Sequence, residues 1–259
     1  KWRQEYLCEF LSSDALLIDS VILAGLTPLI ENSVPLFEIR GVKFYEKVAY
    51  GGTYLVGMDP ATGTGEDFSV IEVFSFPDLV QVAEYRSNSM SSPQMYTMLK
   101  NIVKYLEKQQ CTVYFSVENN GVGEGIIALN EADEDPPMLS EFVSEEGAKR
   151  RGMTTTPKAK MRTCLSMKEM VEKSTIKINS PLLLQEMKTY TRKGQGYAAQ
   201  HGSTDDCISG VLIMIRILEE ISTYEQDAYD KLYALNDQDD WGGEGGESIG
   251  DDEPMPMTF

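Results

Sequence analysis

The hydrophobic pattern in the first half of the chain predicts an antiparallel meander followed by a helix and a fourth strand. Three short apolar and β-branched runs are separated by turn residues, as is typical of sequential strands; they cover residues 54–58, 68–75 and 79–85. Residues 92–108 then carry apolar side chains at helical spacing after a Ser-Pro start signal. A β-branched and aromatic run at 111–117 predicts the next strand, and the Asn- and Gly-rich stretch 119–123 a turn.

The second half of the chain is predicted to be mainly helical, with helices at residues 156–173, 180–189 and 205–222. Before the meander, the sequence PLFEIRGVKFYEKVAYG alternates in the manner of edge strands. We therefore expect an α/β fold. The expected organisation is a linking segment over 1–50, a folded domain over 51–235 and a disordered tail over 236–259, because the tail is rich in Gly, Asp, Glu and Pro.

The charge distribution matters more than the net charge. The formal charge of -18, from 41 acidic and 23 basic residues, argues at first against a nucleic-acid ligand, because like charges repel. Residues 149–193, however, are rich in Lys and Arg, which is compatible with phosphate contacts. Solvated helix faces are the competing interpretation. The candidate DNA-binding residues are Lys149, Arg150, Arg151, Lys158, Lys160, Arg162, Arg192 and Lys193.

Cysteines and apolar runs restrict the class of protein. The four cysteines occur without a CxxC pair, so the sequence indicates neither a disulfide framework nor a zinc site, and a reducing cytoplasm is expected. No apolar run approaches the roughly 20 residues of a membrane helix, and the N-terminus does not have the order of a signal peptide. The chain begins at Lys1, which suggests a fragment of a longer protein.

Carboxylates stand at the ends of the predicted elements. Asp59 follows the first strand, Glu118 the fourth, and Asp205 and Asp206 open the final helix. If the first and fourth strands are neighbours, Asp59 and Glu118 project side by side and raise each other's pKa unless a cation neutralises them. Mg²⁺ prefers carboxylate oxygens and keeps waters and substrate phosphates as further ligands. Two such ions about 4 Å apart can clamp the attacking and leaving oxygens of a phosphoryl displacement.

Three stretches of this sequence together resemble the nuclease domain of the large terminase subunit of tailed bacteriophages, especially the T-even-like packaging motors. They are VGMDPATGTGEDFSVIEV, VYFSVENNGVG and HGSTDDCISGVLIM. The resemblance implies a ribonuclease-H-like fold with a mixed five-stranded sheet and flanking helices. It implies an endonuclease that cuts double-stranded DNA with Mg²⁺ or Mn²⁺, as two ions, with Asp59, Glu118 and Asp205 as the catalytic, metal-binding triad.

The resemblance extends to further ligands and partners. Asp206 and Asp67 are candidates for an additional metal ligand. The stretch WRQEYLCEFLSSDALLI resembles the segment that follows the ATPase domain in that family, so such a domain is expected upstream. The implied partners are the portal ring, the small terminase subunit and concatemeric DNA, in the cytoplasm of an infected bacterium. No recognition-helix or zinc-finger pattern is present, so we expect low sequence specificity.

Two other functions fit parts of the sequence. The DPATGTGEDFS turn is similar to the first phosphate-binding turn of actin-like ATPases, although a Walker A ending is absent. A non-catalytic module that docks on the portal or on DNA is the second alternative. Each acid also has a structural interpretation as a turn or helix-cap residue. The stretch 190–197 predicts a hairpin that either faces DNA or is purely structural, and the single histidine, His201, receives no role.

Overall fold

The computed structural model describes residues 15–65 and 67–236, with side chains through residue 222. The chain divides into two compact units, residues 1–221 and 222–259. The first unit contains the sheet and all the side chains discussed below. The predicted disordered tail lies, beyond residue 236, outside the described residues, as does the start of the predicted linking segment.

A seven-stranded mixed sheet forms the centre of the first unit, in the order β1-β2-β5-β4-β3-β6-β7. Its strands are β1 (Phe37–Ile39), β2 (Val42–Phe44), β3 (Thr53–Asp59), β4 (Ser69–Phe76), β5 (Gln81–Ser87), β6 (Thr112–Val117) and β7 (Ser140–Phe142). Strands β3, β4 and β5 make the predicted antiparallel meander, while β6 pairs with β3 in parallel and β7 with β6. The prediction of a mixed sheet is confirmed.

The sheet has two more strands than the five that were expected. β1 and β2 form a hairpin from the alternating segment, and β2 pairs with β5 at the edge of the sheet. Arg40 and Gly41 in its turn have φ values of 52° and 86°, which the tight hairpin turn requires. Part of the predicted linking segment is therefore hydrogen-bonded into the sheet.

Helices cover both faces of the sheet. They are α1 (Ser20–Ile30), α2 (Ser92–Glu107), α3 (Gly121–Glu131), α4 (Pro157–Glu172), α5 (Pro181–Met187) and α6 (Asp206–Asn236); β8 (Tyr190–Lys193) and β9 (Gly196–Ala199) form a separate hairpin, as predicted. α2, α4 and α5 each have a Pro in the first turn after a Ser or Thr cap, which is the start signal in the sequence. Within the described ranges, no helix has the length and apolarity needed to cross a membrane.

Helix α3 replaces most of the turn predicted at residues 119–123. Asn120 is its N-cap, and the Asn120 side-chain oxygen accepts a hydrogen bond from the Gly123 N–H at 3.1 Å. The sequence GVGEG lowers helix propensity, which is why this stretch resembles a loop. Burial of Ile126 and Ile127 against the sheet stabilises the helix nonetheless.

Strand β3 lies between two hydrophobic cores. On one face Leu55 packs with residues of α4, α5 and α6, and on the other Met58 packs with residues of α2 and α3. At Gly57, α6 approaches so closely that a Cβ atom would lie 2.5 Å from the Gly210 carbonyl oxygen and 2.6 Å from the Met214 nitrogen. The missing side chain therefore lets α6 lie directly on the strand, and this fixes the position of its first turn.

Candidate metal centre

The ends of β3 and β6 bring two carboxylates to one edge of the sheet. The strands are parallel neighbours with Met58 opposite Val117, and the Glu118 N–H donates to the Met58 carbonyl at 2.9 Å. Asp59 and Glu118 are the next residues at these two strand ends, and both are half-buried. The two carboxylates therefore leave the sheet side by side.

The pKa of Asp59 is raised well above its usual range. Burial is the largest cause, followed by the charge of Glu118, a hydrogen bond with Glu118 and the charge of Asp206, whereas Lys160 lowers it. A divalent cation bound beside Asp59 would favour the charged form of this carboxyl group and so oppose the rise in its pKa.

The start of helix α6 supplies two more acids, Asp206 in its first turn and Asp205 directly before it. The Asp206 carboxylate accepts a hydrogen bond from Arg86 Nη2 at 3.1 Å. Burial raises the pKa of Asp206, and the hydrogen bond from Arg86 opposes that rise. The Asp205 carboxylate lies 3.5 Å from Lys160 Nζ. The charge of Asp206 thus raises the pKa of Asp59, whereas Asp205 contacts Lys160, whose charge lowers it.

Lys160 lies inside this acidic group. It is half-buried, and its ammonium lies 6.0 Å from the centre of the Tyr190 ring. A small cavity of about 40 Å³ between Lys160 and Glu118 is also lined by Thr163 and Arg216. A cavity of this size has room for a few waters at most. Lys160 was predicted to contact DNA, and the structure places it beside Asp205, in the wall of this cavity.

The acids form an open rather than a closed site. Among the described residues, three ligand atoms within 4.8 Å of one another occur at Glu72, Glu84 and Cys207, and not at Asp59 and Glu118. Mg²⁺ is commonly held by one or two carboxylates and keeps waters and substrate phosphates as its other ligands. The all-oxygen donor set and the open arrangement therefore fit a hard divalent cation.

Asp67 is more exposed than the other four acids. It is exposed in the turn between β3 and β4, and in the part of the chain that the structure describes its carboxylate makes no hydrogen bond or ion pair. Two backbone N–H groups of the same turn are already used, since Ala61 donates to Ser69 Oγ at 2.8 Å and Gly65 to the Asn88 carbonyl at 2.9 Å. This disfavours the phosphate-binding turn of the ATPase alternative, which needs free N–H groups.

Three of the predicted DNA-binding residues line a groove beside the acids. Lys149, Arg150 and Arg151 border a groove of about 360 Å³ together with Asn119. The Asn119 N–H donates to the Met153 carbonyl at 3.0 Å, which ties this segment to the end of β6. Both arginines make ion pairs with acids of α3. Because those pairs are exposed, they are weak and can exchange for phosphate contacts.

The other predicted basic residues lie on α4 and β8. Lys158 and Arg162 are exposed on α4, and Arg162 pairs with Glu219 at 3.0 Å. Arg192 and Lys193 are exposed at the end of β8. The structure therefore distributes the eight basic residues over a loop, a helix and a hairpin.

Three residues near the acids were not predicted. Arg86 pairs with Asp206, Asn120 donates a hydrogen bond to Glu118, and Arg216 is buried in α6 beside the cavity. The sequence contains a signal for Arg216, because an arginine interrupts the apolar run VLIMIRIL. The roles of Arg86 and Asn120 depend on contacts between elements and have no sequence signal.

Comparison with known proteins identifies the family. The sequence model of the Terminase RNaseH-like domain family matches residues 56–214, more than half of the chain. The chain belongs to this family. The resemblance found in the sequence is therefore confirmed for terminase nuclease domains in general.

Solved terminase nucleases share the fold. The large terminase nuclease from thermophilic phage G20c with bound magnesium has a TM-score of 0.54 at 18% identity, over 74% of this chain and 95% of that chain. The Thermus phage P74-26 large terminase nuclease domain has a TM-score of 0.54 at 16% identity, over 74% and 93%. At these identities the likeness shows the fold, and the predicted ribonuclease-H-like class is confirmed.

Proposed function

We propose that this terminase domain is a divalent-metal-dependent endonuclease that cuts double-stranded DNA during viral genome packaging. The observation that carries the proposal is the meeting of Asp59 and Glu118 at one sheet edge, beside the first turn of α6. The family supports it, and so does the magnesium bound by the G20c nuclease, which has the same fold.

Asp59, Glu118 and Asp205 are the proposed catalytic metal ligands, with Asp206 as an additional ligand. When bound there, two Mg²⁺ or Mn²⁺ ions would activate a water and neutralise charge on the leaving oxygen. Lys160 offsets part of the negative charge of the acids. The exposed turn position of Asp67 makes it a weaker candidate for a ligand.

The basic residues are proposed to hold the DNA backbone. Lys149, Arg150 and Arg151 border the groove next to Glu118, so a phosphate bound there would lie close to the metal centre. Phosphate contacts position a duplex without reading its sequence. We therefore propose low sequence specificity, with Lys158, Lys160, Arg162, Arg192 and Lys193 as further backbone contacts.

The proposed setting follows from the family. It comprises concatemeric DNA as substrate, the portal ring and small terminase subunit as partners, and the cytoplasm of an infected bacterium as location. A T-even-like phage as source and an ATPase domain upstream rest on the sequence resemblance alone.

Cleavage of supercoiled plasmid by the purified chain tests the proposal. The assay is run with Mg²⁺, Mn²⁺ or EDTA, for the wild type and for Asp59→Asn. Mutation of a residue that hydrogen-bonds to a metal ligand typically lowers metal affinity or activity by about 10–100-fold. Loss of a ligand itself should therefore reduce cleavage at least about 100-fold. Asp78→Asn is the matched control, because Asp78 is exposed beyond the opposite end of β4.

The outcomes separate the nuclease from a docking module. Metal-dependent cutting that survives Asp78→Asn and is lost in Asp59→Asn supports the proposal. Equal cutting by wild type and Asp59→Asn overturns the assigned site. If the folded wild type cuts with neither metal and calorimetry detects no Mn²⁺ binding, the non-catalytic docking module is favoured.

A further inference from the structure

A second group of ligand-type side chains lies in the interior between β4, β5 and α6. Glu72 of β4 stands directly opposite Glu84 of β5. One carboxylate oxygen of each and the Cys207 sulfur of α6 lie within 4.8 Å of one another. All three residues are at most 2% exposed. The proposed nuclease uses none of them.

Each glutamate of this group has one oxygen without a partner. Gln81 Nε2 donates to Glu72 Oε2 at 2.7 Å, and the Tyr45 hydroxyl donates to Glu84 Oε1 at 2.7 Å. Glu72 Oε1 and Glu84 Oε2 are buried and accept no hydrogen bond from any described residue. Buried acceptors without partners are rare and unfavourable in folded proteins. Two of them beside one thiol indicate that something binds between them.

The charges of the group are compensated only in part, by one lysine. Burial and the charge of Glu84 raise the pKa of Glu72. Lys43 Nζ is 3.4 Å from the Glu84 oxygen that Tyr45 already contacts, and Arg86 is engaged with an aspartate of α6. A cation bound between the two free oxygens would satisfy both acceptors and remove the repulsion.

We propose that Glu72, Glu84 and Cys207 bind one structural zinc ion. Zinc accepts thiolate and carboxylate ligands at about 2.0–2.3 Å, which places ligand atoms of a tetrahedral site about 3.5 Å apart. Because the three atoms lie within 4.8 Å of one another, they need to close by at most about 1.3 Å to reach this arrangement. The sulfur ligand disfavours Mg²⁺, which takes oxygen ligands. This site is therefore chemically distinct from the all-oxygen centre at Asp59 and Glu118.

The ion would have a structural role. It would join the first turn of α6, which contains Cys207, to β4 and β5. That turn also contains Asp206 and directly follows Asp205, so the site would help to hold both acids at the sheet edge. Because the three ligands are almost fully buried, the ion must enter while the chain folds, and zinc and folding are expected to be coupled.

Cobalt substitution of the full chain tests the site. The chain is unfolded, stripped of metal, refolded with Co²⁺ and separated from free metal. A thiolate bound to Co²⁺ gives a sulfur-to-cobalt charge-transfer band, which an all-oxygen site does not give. We expect the band in the wild type and in Asp59→Asn, with one zinc ion displacing it per chain. We expect it to be lost in Cys207→Ala and kept in Cys164→Ala, a matched control because Cys164 is also buried and free.

A second variant covers the case in which Cys207→Ala does not fold. Replacing the other three cysteines by alanine leaves Cys207 as the single thiol, and the band must survive in that chain. A wild type without the band overturns the proposal, and the two glutamates then share a proton or a water. A band that persists in folded Cys207→Ala, or that is lost when only Cys207 remains, also overturns it. None of these results depends on DNA cleavage.

Discussion

Substituting Gly57 by alanine tests whether the contact between β3 and α6 positions the acids. The added Cβ would lie 2.5 Å from the Gly210 carbonyl oxygen, whereas ordinary contact begins at 3.4 Å. The helix or the strand must therefore move by about 0.9 Å. Overpacking of a well-packed core typically costs about 1–3 kcal/mol. For a domain of this size the expected fall in Tm is about 2–12 °C.

Gly125→Ala is the matched control. Gly125 lies exposed inside α3, and a Cβ atom there would meet nothing within 4 Å. Alanine at such a helical position is expected to stabilise by about 0.4–1 kcal/mol, because it restricts the unfolded chain and favours the helix. Urea unfolding of both variants measures the difference. The reasoning is refuted if Gly57→Ala is as stable as Gly125→Ala.

The same substitution has a consequence for activity. A shift of about 0.9 Å in α6 would move Asp205 and Asp206 relative to Asp59. Misplacement of catalytic groups by about 1 Å can reduce a rate about 100-fold. DNA cleavage by Gly57→Ala should therefore fall at a temperature where circular dichroism shows the variant fully folded. Wild-type cleavage under those conditions would contradict the role assigned to this contact.

Three further outcomes are expected. Arg216→Met should lower the free energy of unfolding in urea by about 2–3 kcal/mol, because it leaves Glu145 without its buried partner; an unchanged midpoint contradicts this. The hydrogen bond from Lys100 holds the pKa of Asp133 well below its usual range. Asp133→Asn should therefore lower the free energy of unfolding at pH 7, and its difference from the wild type should shrink as the pH falls below about 4. A difference that does not change with pH would contradict this. Lys160→Gln should move the acidic limb of the cleavage pH profile to higher pH, since it removes a cation that lowers the pKa of Asp59, a proposed metal ligand; an unmoved limb contradicts this.

The sequence alone determined the elements whose signals are local. Alternating and apolar runs predicted β3 to β6 to within two residues, and Ser-Pro and Thr-Pro pairs predicted the starts of α2 and α4. Local signals failed at α3, where glycines resemble a loop and burial of Ile126 and Ile127 decides the structure. They also predicted that the final helix ends at residue 222, whereas α6 extends to residue 236.

The candidate site, like the fold, could be predicted only in part from the sequence. The sequence predicted Asp59, Glu118, Asp205 and Asp206 as site residues, because they stand at the ends of predicted strands and at the start of a predicted helix. Only the tertiary structure decided that β6 pairs with β3, that Lys160 lies among the acids, and that Asp67 is exposed whereas the other acids are half-buried.

The buried group of proposed zinc ligands shows most clearly what the sequence alone could not predict. Glu72, Glu84 and Cys207 are separated in the sequence, and the absence of a CxxC pair argued against a zinc site. Cross-strand register and the docking of α6 bring them together. Such a site depends on distances between elements, which pairing and packing fix and which no local pattern encodes.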